Sequence, residues 1–236
     1  MSLPKIDKPV YSLKIPSTGK EVSYRPFLVK EEKLLLMAAQ GKDDKEIVRA
    51  IKQIINNCVV DTSFNVNDLA TFDIEYFFIK LRSKSVGNII KIQITDPELE
   101  KPISKDLDLD TVVIKDLKKP PVIKLSDTMS MQMKYPKVDF SEKVNMADNS
   151  GFAENLTEII GYLIDKIYDG DEVYVATDYS EKEILEFAEN LPVSVITQVE
   201  EFIDTMPKVY CEVFYDMNGE KRKVELDSLQ DFFILG

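Results

Sequence analysis

A chain of 236 residues that is 44% hydrophobic holds enough apolar side chain to close a packed core, which excludes wholesale disorder. With 42 acidic against 30 basic residues the formal net charge is -12, a field that repels phosphate backbones, and no basic stripe with interleaved aromatics reverses it, so nucleic acid is not an expected partner. Histidine is absent, which removes the commonest general base, metal ligand and pH switch together; the two distant cysteines, Cys58 and Cys211, make neither a disulfide framework nor a four-ligand zinc site.

The opening MSLPKIDKPVYSL has no apolar run of the kind a signal peptide needs, and no stretch has the length of a membrane span, so the chain is expected to stay in the cytosol where it is made. Tyr11, Leu13 and Ile15 alternate with polar residues, Pro16 to Gly19 supply turn chemistry, and Val22 and Tyr24 resume the alternation, which predicts an N-terminal hairpin ended by Pro26. A helix follows from about Lys30 through Leu34, Leu35, Leu36 and Met37 to Gly41. A second, with Asp43 and Glu46 in the spacing of a capping box, places Ile47, Ile51, Ile54, Ile55 and Cys58 on one face. Ile74, Phe77, Phe78 and Leu81 mark a third, whose aromatic stripe reads as core.

From Asn88 the period becomes two. Ile90, Ile92 and Ile94, then Leu107 and Leu109, with Val112 and Ile114 extending the pattern, predict paired ribbons; Asp106, Asp108 and Asp110 fall on a solvated face. Lys118 to Pro121 is a stiff connection, and Met129, Met131 and Met133 predict another strand facing the core or, as the lesser reading, a soft partner surface. Pro136 to Ser150 reads as a loop, with Asp148, Asn149 and Ser150 as N-cap candidates for a helix carrying Leu156, Ile159, Ile160, Leu163, Ile164 and Ile167 and ending at Gly170. Val173 to Val175 is a brief extended piece, and Ser180 and Glu183 form a capping box that opens a helix to Leu191. Pro192 starts one whose apolar band holds Val195, Ile196, Val199, Phe202, Ile203 and Met206. Two strands around Asn218-Gly219 make a last hairpin, before Leu229, Phe232, Phe233, Ile234 and Leu235 crowd the end of the chain.

These elements give an α+β fold, with helices packed on antiparallel hairpins and no parallel Rossmann-type sheet. The expected segments are 1–87 (hairpin and helices), 88–147 (β-rich) and 148–236 (helical, ending in a hairpin and apolar tail), forming one compact unit. No nucleophile elbow, P-loop or dinucleotide fingerprint occurs, the acidic Asp169 to Glu172 turn lacks the order of a calcium loop, and no cofactor, metal or catalytic residue is nominated. A carboxylate-only hydrolase is the least favoured reading, since no spacing singles out a pair.

The segments LPKIDKPVYSLKIPSTGKEVSYRPFLVKEEKLLLMA (Leu3 to Ala38) and IVRAIKQIINNC (Ile47 to Cys58) resemble the start of the baseplate hub and hub-assembly proteins of T-even-type contractile-tailed bacteriophages. IDKIYDGDEVYVATDYSEKEILEFAENLP and FIDTMPK are similar to the same family's carboxy-terminal half. No metal role comes with the resemblance, because the hairpins near Ile94 to Leu107 and Phe214 to Val224 hold Asp96-Pro97 and Asn218-Gly219 where paired cysteines would be needed. The resemblance implies a non-enzymatic morphogenesis protein, either a structural hub subunit in the tail baseplate or an assembly chaperone acting only in the host cytoplasm. Its partners would be other hub, tail-tube or tape-measure proteins. Candidate anchors are the tail residues Phe232, Phe233, Ile234 and Leu235 and the helix face of Val195 and Phe202, each with intramolecular core as the alternative.

Overall fold

A computed structural model of the chain describes residues 6–41, 43–95, 102–140, 155–217 and 219–232. In chain order the elements are Tyr11–Lys14 (β1), Glu21–Tyr24 (β2), Val29–Gln40 (α1), Asp44–Cys58 (α2), Thr71–Ser85 (α3), Ile89–Thr95 (β3), Pro102–Asp108 (β4), Val113–Lys115 (β5), Val122–Lys124 (β6) and Met129–Met133 (β7). Leu156–Leu163 (α4), Ile164–Asp169 (β8), Glu172–Val175 (β9), Glu181–Glu189 (α5), Ser194–Asp204 (α6), Lys208–Met217 (β10) and Glu220–Leu226 (β11) complete them. Every strand pair among the described residues is antiparallel, so the fold is α+β without a parallel sheet.

The chain's contacts divide into two compact units, one of 1–115 with 208–236 and one of 116–207. In the first, β1 and β2 form the expected hairpin, with Gly19 supplying the left-handed turn conformation at φ 70. α3 is its centre. Phe72, Ile74, Phe77, Phe78, Ile79 and Leu81 are buried right around the helix, as befits one covered on every side. Tyr24 and Phe64 meet Phe77 edge-on at 5.3 and 6.0 Å, and Ile79 joins a cluster with Ile92, Leu107, Val209, Cys211 and Leu226. The strands make a β3-β4 ribbon and a sheet ordered β11-β10-β5. Lys115, where the chain leaves this unit, pairs across the ladder with Lys208, where it returns.

Two helices of this unit start without a side-chain N-cap and use a buried acid instead. The Leu28 N–H donates to Glu31 at 2.8 Å, and the Ala70 N–H to Asp73 at 3.1 Å, so each carboxylate sits in the first helical turn, where the macrodipole favours it. Each acid then reaches outward: Arg25 donates to Glu31 at 3.1 Å and to the Asn57 carbonyl at 2.8 Å, while the Ser17 N–H and hydroxyl both donate to Asp73. The hairpin is thereby tied to all three helices. Lys80 completes the set, donating to the Leu109 and Asp110 carbonyls at 3.0 and 2.9 Å.

The second unit is a four-stranded sheet in the order β6-β7-β8-β9, packed against α4, α5 and α6. Met131, Met133, Ile159, Leu163, Ile164, Val195 and Val199 form its interior, so the methionine strand faces the core. The expected helix through Ile167 stops at Leu163, and Ile164–Asp169 is a central strand paired with β7 and β9. Both conformations bury the same residues, since Ile160, Leu163, Ile164 and Ile167 also fit a helical stripe; pairing on both sides of the strand decides for β. The candidate N-caps Asp148 to Ser150 lie outside the described residues.

Three further differences concern the middle of the chain. Leu109–Thr111 is a 3-10 turn rather than an extension of β4, and Val113–Lys115 pairs with β10 instead of the ribbon. Asp110 is exposed, as expected of a solvated face, and accepts from the Ser83 hydroxyl at 2.6 Å and Lys84 at 2.9 Å; those bonds hold its carboxyl below the usual aspartate value. Val122–Lys124, unmarked by the sequence pattern, is an edge strand.

Candidate docking surfaces

The residues nominated as anchors are interior where they are described. Val195 and Phe202 lie in the core of the second unit, the Phe202 ring stacked on Tyr135 at 5.7 Å. Phe232 is 1% exposed in the core of the first unit, and Phe233, Ile234 and Leu235 lie outside the described residues. The apolar band of α6 therefore closes its own unit. Burial on the sheet and α4 removes more apolar surface from water than facing solvent would.

Apolar surface appears instead on α1. Val29, Leu36 and Met37 are 87%, 46% and 59% exposed, whereas Leu35 and Glu31 on the opposite side are buried. The run Leu34-Leu35-Leu36-Met37 could have revealed this: at about 100° per residue, four consecutive apolar positions cannot share one buried face. A helix apolar on both faces has its outer face free for a partner.

A cleft of about 350 Å³ opens in the second unit between the sheet and α5. Met129, Ile167 and Tyr174 line the sheet wall, and Tyr179, Ile184 and Phe187 the helical side. Strand register explains the wall. Met131, Ile167 and Tyr174 are cross-strand partners, and one pair further along the same face Met129, Asp169 and Glu172 form the next row. The apolar row thus gives way to an acidic one at the hairpin end. On α5 the capping box adds Glu183, whose carboxylate receives the Ser180 N–H and hydroxyl at 2.9 and 2.6 Å; these bonds hold its pKa below the usual glutamate value. A neighbouring cleft of about 290 Å³ shares Tyr179 and Ile184, and Gly161 at its base lets α4 approach α5 closely.

Among the described residues no three Cys, Asp or Glu side chains converge as a metal site requires, and no helix is long and apolar enough to cross a membrane. Burial pushes the Cys58 thiol up to about 11, so it stays protonated at neutral pH and packs as a small hydrophobe. No curated protein and no solved structure matches the chain. The model of the T4 bacteriophage base plate protein family matches residues 8–234. That match runs through both units, and the chain belongs to the T4 bacteriophage base plate protein family.

Proposed function

We propose that the chain is a baseplate hub morphogenesis protein, a structural subunit that works by docking to other hub, tail-tube or tape-measure proteins and has no catalytic role. The observation that carries this reading is the family match over residues 8–234. The exposed Val29, Leu36 and Met37 stripe supports it, because a surface helix that leaves three large apolar side chains in water gains by covering them, at about 25 cal/mol per Å². Protein composition of purified virions is the test. A fixed stoichiometric copy number is the expected result; complete absence from the particle would remove the subunit and leave an assembly chaperone active in the host cytoplasm.

A further inference from the structure

We propose that the cleft between the β8-β9 hairpin and α5 captures a basic amphipathic helix of a partner protein, an apolar anchor entering beside Tyr179 and lysine or arginine side chains lying along the acidic row. The inference deepens the docking role above and rests on it. Two features fix the chemistry of the occupant. The cleft floor is apolar and aromatic, with Met129, Tyr174, Ile184 and Phe187 only partly buried, so it accepts a large hydrophobic side chain. The charge of its lining is one-sided, two carboxylates and no basic side chain, and the stretch 164–191 that supplies most of the lining carries nine carboxylates against Lys166 and Lys182, a formal -7 out of the chain's -12. Asp169 and Glu183 line the cleft itself, and Glu172 shares the cross-strand row with Asp169.

That arrangement rejects an acidic segment by like-charge repulsion and draws a basic one in from a distance. Ile167, Asp169 and Tyr174 from the sheet and Glu183, Ile184 and Phe187 from α5 face each other across the cleft, so an occupant lies over the face of the sheet, opposite a helix, rather than in line with the β9 edge. Recognition therefore runs through anchors at helical spacing, the mode of a helix in a groove, rather than through an added strand.

The test uses the full chain, which contains no tryptophan, so tryptophan emission reports on the probe alone. The probe is a synthetic amphipathic peptide of about 14 residues, four turns of helix, with one tryptophan anchor, leucines at helical spacing and flanking lysines. A second peptide keeps the apolar positions and replaces each lysine by glutamate. The expected result is a blue-shifted, saturable titration with the lysine peptide only, which weakens as salt rises from about 0.01 to about 1 M and the Debye length falls from about 30 to about 3 Å. Tyr179→Ala should weaken it about tenfold or more, the loss of one aromatic anchor, and the pair Asp169→Lys with Glu172→Lys should transfer preference to the glutamate peptide. An unchanged melting temperature shows that each variant still folds. Equal binding of both peptides, indifference to either variant, or no shift below about 1 mM protein overturns the proposal. Virion composition is untouched by any of these outcomes, so the cleft and the hub role fail separately.

Discussion

Phe232 shows how one side chain changes the reading of a terminus. Placed among Ile79, Val112, Val209 and Leu226, it is core, and Phe232→Ala should destabilise the chain by about 3–5 kcal/mol, read as a lower denaturation midpoint at unchanged slope. Removal of 229–236 should accordingly unfold rather than merely weaken partner capture. Glu75 on α3 offers a second measurement. Burial pushes its carboxyl up to about 7 from the ordinary 4.5. Below about 4.5 the group is protonated in both states and contributes no pH dependence. Between about 4.5 and about 7 the unfolded chain releases a proton that the folded chain keeps, so this contribution makes stability fall as pH rises and then level off. Melting temperature against pH should show that decline in the wild type and lose it in Glu75→Gln; identical profiles would remove the assignment. Neither role was legible beforehand. A phenylalanine near a chain end and one glutamate among 42 acids look alike whether buried or exposed, because burial comes from distant parts of the fold.

Among elements, those with purely local causes were readable. The capping box of α5, the Gly19 turn and the β10-β11 hairpin each follow from residues a few positions apart. The β8 strand did not follow, because its apolar spacing fits a helix equally well and only partners on β7 and β9 decide between them. The α4-α5 contact gives a sharper test. A Cβ on Gly161 would lie 3.3 Å from the side-chain tips of Ile184 and Leu185, which can yield by a few tenths of an ångström. The helix gains about 1 kcal/mol from Gly to Ala, close to the cost of that adjustment, so Gly161→Ala should stay within about 0.5 kcal/mol of wild type. Gly161→Leu cannot be absorbed by side-chain tips and should cost about 1–3 kcal/mol, measured by denaturant unfolding.

On the scale of the molecule, the second unit is an insertion into the first. The chain leaves at Lys115 and returns at Lys208, and these two residues are neighbours on one antiparallel ladder. A direct turn can therefore replace everything between them. Joining residue 115 to residue 208 through Asn-Gly should give a chain that still unfolds cooperatively, since a two-residue loop of that kind closes antiparallel strands without strain. Non-cooperative thermal unfolding by circular dichroism, or a collapsed chain without fixed tertiary packing, would show that the first unit depends on the inserted residues. The linear segments 1–87, 88–147 and 148–236 follow composition and period, whereas this division follows strand pairing between residues nearly a hundred positions apart.

By itself the sequence determined the class of the molecule. Its alternating runs, capping residues and turn glycines specify helices with antiparallel hairpins, because those signals act over a few residues, and its long segment resemblances already pointed to the baseplate family. Apart from the outer face of α1, which four consecutive apolar residues already imply, tertiary structure decided which apolar faces are spare. Val195, Phe202 and Phe232 are covered, while Val29, Leu36, Met37 and the cleft beside Tyr179 are left open. The physical reason is that an apolar side chain is driven from water with the same strength whoever covers it, so periodicity marks a face to be buried without saying whether the cover comes from its own chain or from a partner.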